Sequence, residues 1–373
     1  HPLTDFSGAR TGVFIACLSQ DYQKLLQDQG MVQHPQTWAG NENAMFPAKV
    51  ARFLNIQGPC QFINAECASS LAALHEASRL IREGRIDQAI VGATNLLLHS
   101  YGFAVRRDAL LSDEPQPRLF SRQSKGQLRG EAIVAVVLKS LAKAQADGDH
   151  IYGVVAGSAV NNSGRTLSLV AGNVDQQANA MVEAWRQAGV QASDLSLIEC
   201  HASGVRGGDF AELAAIRQAL GGSAAPPQQP CHLSTVKGAV GHAEAASGMT
   251  ALVKVLLQMQ HQQIVGVQGM DELDPELPSD PRRFQLARGL VPWESPKRKA
   301  RVAGINGFAA GGYNAHVVIE EYVDSAPAVQ PVPTAKRGDR CVVVVSAQSE
   351  ASLMSRLREL RMYLGKYPQT RVA

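Results

Sequence analysis

Short apolar runs alternate along this chain with segments of helical period, and that alternation points to an α/β fold with largely buried strands. Residues 12–16, 89–93, 132–138, 152–155 and 195–200 read as strands. Between them, Val174, Ala178, Met181, Val182 and Trp185 recur at i, i+4, i+7, i+8 and i+11 and predict a packing helix. Asp209 followed by Glu212 resembles a capping box, opening a helix whose inward face carries Phe210, Leu213, Ile216 and Leu220. Another helix is expected from Glu244 towards Gln260. The proline-bearing stretch 263–300 reads as an irregular excursion before a last hairpin of 301–305 and 314–319.

After Glu321 the composition changes. Residues 324–335 are rich in Pro and Ala, as a semi-extended linker is. Residues 341–347 read as a strand, and 350–363 as a helix with Leu353, Leu357, Leu360 and Met362 largely on one side. This tail is too short for a domain of its own and reads as the start of a flanking one. The rest of the 373 residues is long enough for a substantial core. A formal charge of +3, with no stripe of Lys and Arg, argues against nucleic acid as a partner. The start lacks the marks of a signal peptide and no apolar run reaches membrane-spanning length, so a soluble, cytoplasmic protein is the expectation. Six cysteines without a C-x-x-C pair suggest neither a zinc site nor a disulfide framework.

One cysteine stands apart. Residues 58–71 read as a strand, a tight turn with Cys67 at its tip, and the opening of a helix continued by Leu71, Leu74, Ala77 and Ile81. A thiol there meets unpaired backbone N–H groups and the positive end of the helix dipole, which favour the thiolate and make Cys67 a candidate nucleophile. Glu66 opposes this if its carboxylate lies close. Two histidines sit where strands run into loops, His201 within Glu199-Cys200-His201-Ala202-Ser203-Gly204-Val205 and His242 within Lys237-Gly238-Ala239-Val240-Gly241-His242-Ala243-Glu244. Most histidines serve surface or packing roles, so each alone is weak evidence. A glycine-rich turn, Gly307-Phe308-Ala309-Ala310-Gly311-Gly312-Tyr313-Asn314, could bring a backbone N–H close to a ligand.

In this order and at this spacing the four segments resemble the signatures of the β-ketoacyl synthases, in particular the ketosynthase domains of modular type I polyketide synthases. Arg129-Gly130-Glu131, Asn161-Asn162-Ser163-Gly164 and Gly208-Asp209 are weaker echoes of the same family. The resemblance implies a thiolase-like α/β fold of two similar βαβαβ halves, layered α/β/α/β/α. It implies a ketosynthase domain over residues 1–322 and a linker with the start of a flanking domain over 323–373. Cys67 would carry the acyl chain, and His201 and His242 would stabilise the enolate left by a decarboxylated malonyl-type extender. The backbone donors matching the family's oxyanion hole are Cys67 and Phe308, with Lys237 in electrostatic support. Ser203, Val205, Ala309, Ala310 and Asn314 would face the substrate and its phosphopantetheine. The implied partners are an acyl carrier protein, a second copy of the chain and other synthase domains; no metal or bound cofactor is implied.

The chain departs from the family pattern in places. Asn64-Ala65-Glu66 stands where Asp-Thr-Ala is usual, Val205 replaces a hydroxyl residue, and Ala309-Ala310 and Tyr313 replace Gly-Phe and Thr. Loss of the Phe side chain should enlarge that wall of the pocket, which suggests a bulky or branched intermediate. The family's opening strand motif is missing before Arg10, so the first half is expected to lack strands and expose core. Rival readings are a non-elongating condensing domain, whose usual mark is loss of the first histidine, and an inactive dimerisation or docking domain, whose mark would be loss of the nucleophile. His201 and Cys67 are both present. Thiolases would need a further catalytic Cys in the second half, and no nucleotide-binding glycine motif follows a strand.

Overall fold

A computed structural model describes residues 6–366 apart from 19, 106–109, 222–228, 271, 295–299, 324–342 and 348. The chain divides into two compact units, His1–Val323 and Asp324–Ala373.

In the first unit, strands β1 (Thr11–Cys17), β2 (Cys60–Ile63), β3 (Gln88–Asn95) and β4 (Ala132–Lys139) form a sheet in the order β2-β1-β3-β4. Strands β5 (Val154–Asn162), β6 (Leu197–Glu199), β7 (Cys231–Ser234), β8 (Gln263–Val265), β9 (Phe284–Leu286), β10 (Leu290–Pro292), β11 (Val302–Phe308) and β12 (Tyr313–Glu320) follow. Six of these make a second sheet, β5-β12-β11-β6-β7-β9, while β8 and β10 pair separately. The two sheets repeat one pattern. In the first, β1 pairs parallel with β2 and β3, and β3 pairs antiparallel with β4. In the second, β6 pairs parallel with β7 and β11, and β11 pairs antiparallel with β12.

The helices are α1 (Asp21–Asp28), α2 (Pro35–Asn41), α3 (Met45–Leu54), α4 (Ser69–Arg82), α5 (Tyr101–Ala104), α6 (Leu141–Ala146), α7 (Val174–Ala188), α8 (Arg206–Gly221), α9 (Lys237–Val240) and α10 (Ser247–His261). Both α4 and α10 are buried along much of their length and lie between the sheets: α4 touches β1, β3, β5 and β12, and α10 touches β4 and β11. They meet where Gly248 leaves room for Leu71, since a Cβ at Gly248 would fall 2.4 Å from Leu71 Cγ. Helix α3 packs on the outside of the first sheet and α7 on the outside of the second. The result is the layered α/β/α/β/α arrangement expected of two similar halves.

Several local expectations need correction. The strand placed at 152–155 runs over Val154–Asn162, and β6 covers only Leu197–Glu199. Val182 and Phe210 are exposed rather than inward, at 47% and 48%, because the helix faces carrying Met181 and Leu213 already fill the space against the sheet. Asp209 and Glu212 do not cap a helix start; α8 begins at Arg206, and both carboxyls are buried inside it. In the second unit, helix α11 (Glu350–Lys366) forms, with no buried residue. The strand expected at 341–347 does not form over its described residues 343–347. A strand needs a partner, and none is present among the described residues of that unit. The linker at 324–335 lies outside the described residues.

Both free edges of the first sheet are open among the described residues. At one, Cys60 and Gln61 of β2 are exposed. At the other, Ile133 and Val137 of β4 are 73% and 41% exposed.

Candidate active site

The turn that presents Cys67 is built by hydrogen bonds a few residues long. Ser69 Oγ accepts from Ala65 N at 2.8 Å and donates to Glu66 O at 2.5 Å, while Ala68 N donates to Ala65 O. This forces Glu66 into the left-handed region, φ 50°, a strained conformation for a side chain of its size. Cys67 follows, half-buried, two residues before the first turn of α4. The strand-to-helix turn expected around Cys67 thus forms, between β2 and α4.

His242 stands in the equivalent place before α10. Its Nδ1 accepts from Glu244 N at 2.9 Å and lies 3.0 Å from Ser247 Oγ. In the neutral ring this puts the hydrogen on Nε2, so the ring is set to donate from that side. His201 follows β6, and its ring meets that of His242 edge-on at 5.3 Å and that of Phe308 at 6.1 Å. Burial, then the charge of Lys237, then His242 hold the His201 pKa well below its usual value, so its imidazole is neutral at pH 7.

Cys67, His201 and His242 bring their potential ligand atoms within 4.8 Å of one another. A soft S/N/N set of this kind can in principle hold a transition metal. The Nε2–H tautomer fixed on His242 withholds the lone pair that ligation through Nε2 would need, and suits hydrogen-bond donation instead.

A shell that sequence reasoning missed holds these groups. Glu212 accepts from His201 N at 2.6 Å, from Ala202 N at 2.7 Å and from Asn306 Nδ2 at 2.8 Å. Asn306 Oδ1 lies 2.7 Å from His316 Nδ1, and His316 Nε2 accepts from Trp185 Nε1 at 3.0 Å. Asp209 accepts from Phe120 N and Gly204 N; burial pushes its pKa up to about 7. Lys237 is buried, its pKa lowered by that burial and partly restored by Glu212 and Cys67. Arg129 and Glu244 form a buried ion pair at 2.8 Å, side chains 2% and 1% exposed, with the Arg129 guanidinium 4.7 Å over the Phe103 ring. The signal for Glu212 was present as an acid spaced three residues from Asp209, on the face shared with Leu213 and Ile216.

The other residues singled out from sequence border the same region unevenly. Ser203 and Val205 are half-buried, and Ser203 Oγ accepts from Val205 N at 3.3 Å. Ala309 and Ala310, also half-buried, form the turn between β11 and β12, closed by Ala309 N to Tyr313 O at 2.9 Å. Asn314 is buried, its amide donating to Asn161 Oδ1 and Ser163 Oγ, so its nitrogen ties neighbouring segments together.

A thiol on a helix N-terminus facing two imidazoles, within a doubled α/β/α layer, defines an acyl-transferring condensing enzyme. Comparison with known proteins agrees. The N-terminal domain profile of β-ketoacyl synthases matches residues 2–144, and the C-terminal domain profile matches residues 152–271. Polyketide synthase ThaG of Burkholderia thailandensis is 38% identical over 338 residues, covering 87% of this chain and 6% of its own length. Polyketide synthase PksN of Bacillus subtilis is 33% identical, covering 96% of this chain and 7% of its own length. The solved ketosynthase from module 6 of the bacillaene synthase of Bacillus subtilis 168 superposes with a TM-score of 0.86 at 28% identity, over 99% of this chain and 61% of that one. This chain belongs to the β-ketoacyl synthase family, as a ketosynthase of the polyketide synthase type with a thiolase-like fold. It spans a small fraction of the curated relatives it matches.

Proposed function

We propose that residues 1–322 are the condensing domain of a polyketide synthase and that 323–373 hold a linker and the start of a flanking domain. Cys67 attacks the thioester carbonyl of an acyl chain on the phosphopantetheine of an acyl carrier protein. The tetrahedral oxyanion accepts from the N–H groups of Cys67 and Phe308, then collapses with expulsion of the pantetheine thiol. Ala309 N–H is engaged with Tyr313, so by strand alternation the Phe308 N–H faces away from β12, which supports its role as a donor. A malonyl-type extender then loses CO₂. The electron pair of the broken C–C bond becomes an enolate whose oxygen accepts from His201 and His242. The enolate carbon attacks acyl-Cys67 and displaces its thiolate.

The observation that carries this reading is the approach of Cys67, His201 and His242 to within 4.8 Å, with His201 held neutral. Lys237 supplies positive potential to the thiolate and the carboxyl groups nearby. Ser203 and Val205 from one loop and Ala309 and Ala310 from the β11–β12 turn flank the entry of the pantetheine arm, and Asn314 just after that turn ties it to Asn161 and Ser163. The small side chain of Ala310 leaves space for a branched or bulky chain. A non-elongating domain or an inactive docking domain is disfavoured by the retained histidines and thiol. The exposed edge of β2 is where a second copy would pair, consistent with a homodimer. Among the described residues no helix is long and apolar enough to cross a membrane, and a cytoplasmic setting fits a carrier-protein partner.

Incubation with acyl and malonyl carrier proteins, followed by intact mass spectrometry, tests the reading. Acyl-Cys67 formation and a condensed product are expected. Acyl transfer without condensation would favour the non-elongating alternative, and no acyl uptake would favour the docking one. Ordinary elongation of simple linear chains at normal rates would overturn the preference for a branched or bulky intermediate.

A further inference from the structure

No step of the condensation uses Arg129-Gly130-Glu131, yet the segment is locked against His242. The two form a β-bridge, in which His242 N donates to Leu128 O at 2.7 Å and Gly130 N donates to His242 O at 2.9 Å. Gly130 permits this approach, since a Cβ there would run into Val240 O. Gly130 O accepts from the buried Asn95 Nδ2 at 2.8 Å, and Glu131 Oε1 accepts from Leu97 N at 2.7 Å. The segment is therefore also fixed from the end of β3.

The ring of His242 is held by the same residues. Its Nδ1 faces two groups, the N–H of Glu244 at 2.9 Å and Ser247 Oγ at 3.0 Å. A hydroxyl can donate or accept, so Ser247 suits either tautomer. An amide N–H only donates, so Glu244 is the group that keeps the hydrogen off Nδ1 and on Nε2. Its N–H points there with Glu244 at φ 44°, in the left-handed region, which a side chain of this size enters only when its surroundings impose it. Arg129 supplies the restraint. Its Nε and Nη2 bind the two carboxylate oxygens of Glu244 at 2.8 and 3.1 Å, and its guanidinium lies over the Phe103 ring.

Stability is a poor account of this ion pair. Both side chains are buried, and taking two charges out of water offsets much of their attraction, so apolar residues packed in the same space often serve as well. Arg129 Nη1 has no hydrogen-bond partner among the described residues, a further cost for a buried donor. Desolvation, an unpaired donor and a left-handed glutamate meet at one pair. What the pair delivers is a direction, one N–H aimed at one imidazole nitrogen.

We propose that Arg129 is a positioning residue for His242: through Glu244 it fixes the Nε2–H tautomer and the direction of the ring, and so governs enolate formation while leaving acyl uptake by Cys67 untouched. The inference rests on the ketosynthase reading above and concerns the second of its two steps.

Two variants of the full chain test it. Arg129→Lys keeps a positive charge beside Glu244 but loses the two-pronged grip. Arg129→Met combined with Glu244→Gln removes both charges, so that no buried charge is left unpaired. In both, Cys67 should take up an octanoyl group from its N-acetylcysteamine thioester within about threefold of the native rate, read by intact mass spectrometry. The kcat for CO₂ release from malonyl carrier protein should fall about tenfold with KM within about twofold, the scale of one misaligned hydrogen bond. Equal losses in both steps would mean that the pair only holds the fold. CO₂ release within about twofold of native in Arg129→Lys would mean that charge suffices without the fork. Either result overturns the inference.

The ring nitrogens of the ¹⁵N-histidine-labelled chain, read by NMR, answer without the reaction. His242, assigned by the signal lost in His242→Gln, is expected as a single Nε2–H tautomer in the native chain and as a mixture in both variants. That result supports the inference even where Cys67 takes up nothing, and a His242 tautomer unchanged in both variants overturns it.

Discussion

The carboxylate of Glu212 grips the backbone of His201, accepting its N–H at 2.6 Å while its second oxygen takes the N–H of Ala202 at 2.7 Å. Ala202 sits at φ 38°, a conformation an alanine adopts only when its surroundings impose it. Glu212 is thus the clamp that sets the direction of His201. In Glu212→Gln one acceptor becomes a donor facing an N–H. Condensation should fall about tenfold or more while acyl uptake by Cys67 changes little, because only the second step uses the imidazole. Parallel assays of acyl-enzyme mass and CO₂ release separate the two steps.

The same separation applies to the catalytic groups. Cys67→Ala should abolish acyl uptake. His201→Ala should still become acylated, with decarboxylation slowed about 100-fold or more, the cost of removing a donor from a developing oxyanion. If His201→Ala lost acyl uptake as completely as Cys67→Ala, the division of labour would be wrong.

Asp209 gives the fold a pH dependence of known sign. Burial raises its pKa from 3.8 to about 7, against the pull of the Phe120 and Gly204 N–H groups. The folded chain therefore holds this proton more tightly than the unfolded one, so the contribution is fully present below about pH 4 and is lost as pH rises through about 7. Urea unfolding at a series of pH values should show the decline, and Asp209→Asn should flatten it.

Gly248 is the contact point of the two central helices. A Cβ there would lie 2.4 Å from Leu71 Cγ and 2.9 Å from Ser70 Oγ. Gly248→Ala should cost about 1–3 kcal/mol by overpacking, seen as a lower urea midpoint. Adding Leu71→Ala should recover part of that loss if the clash is the cause, and a fully additive double variant would show otherwise.

Much of this was legible in the sequence because the nucleophile and its partners lie in short segments whose turn chemistry is local. Cys67 stands out by its strand-to-helix turn, while His201 and His242 gain weight only from the order and spacing of their segments relative to it. The supporting shell does not show in this way. Arg129 and Glu244 are 115 residues apart, and Trp185 and His316 are 131 apart, so only the packed layers bring them together. Asp209 and Glu212 were misread for a physical reason: acids three residues apart can close a helix start or share one buried face, and spacing does not distinguish the two. Phe210, between them in sequence, falls on the solvent side for the same geometric reason.

The free side of β4 has a practical consequence. Its backbone donors and acceptors run beside Ile133 and Val137, and the one charged side chain on the strand, Lys139, is drawn to Asp147 and Asp149 at the far end. No gatekeeper charge stands along the rest of the strand. Purified by itself at high concentration, this chain should self-associate by cross-strand stacking at that rim, and solubility will limit handling before thermal stability does.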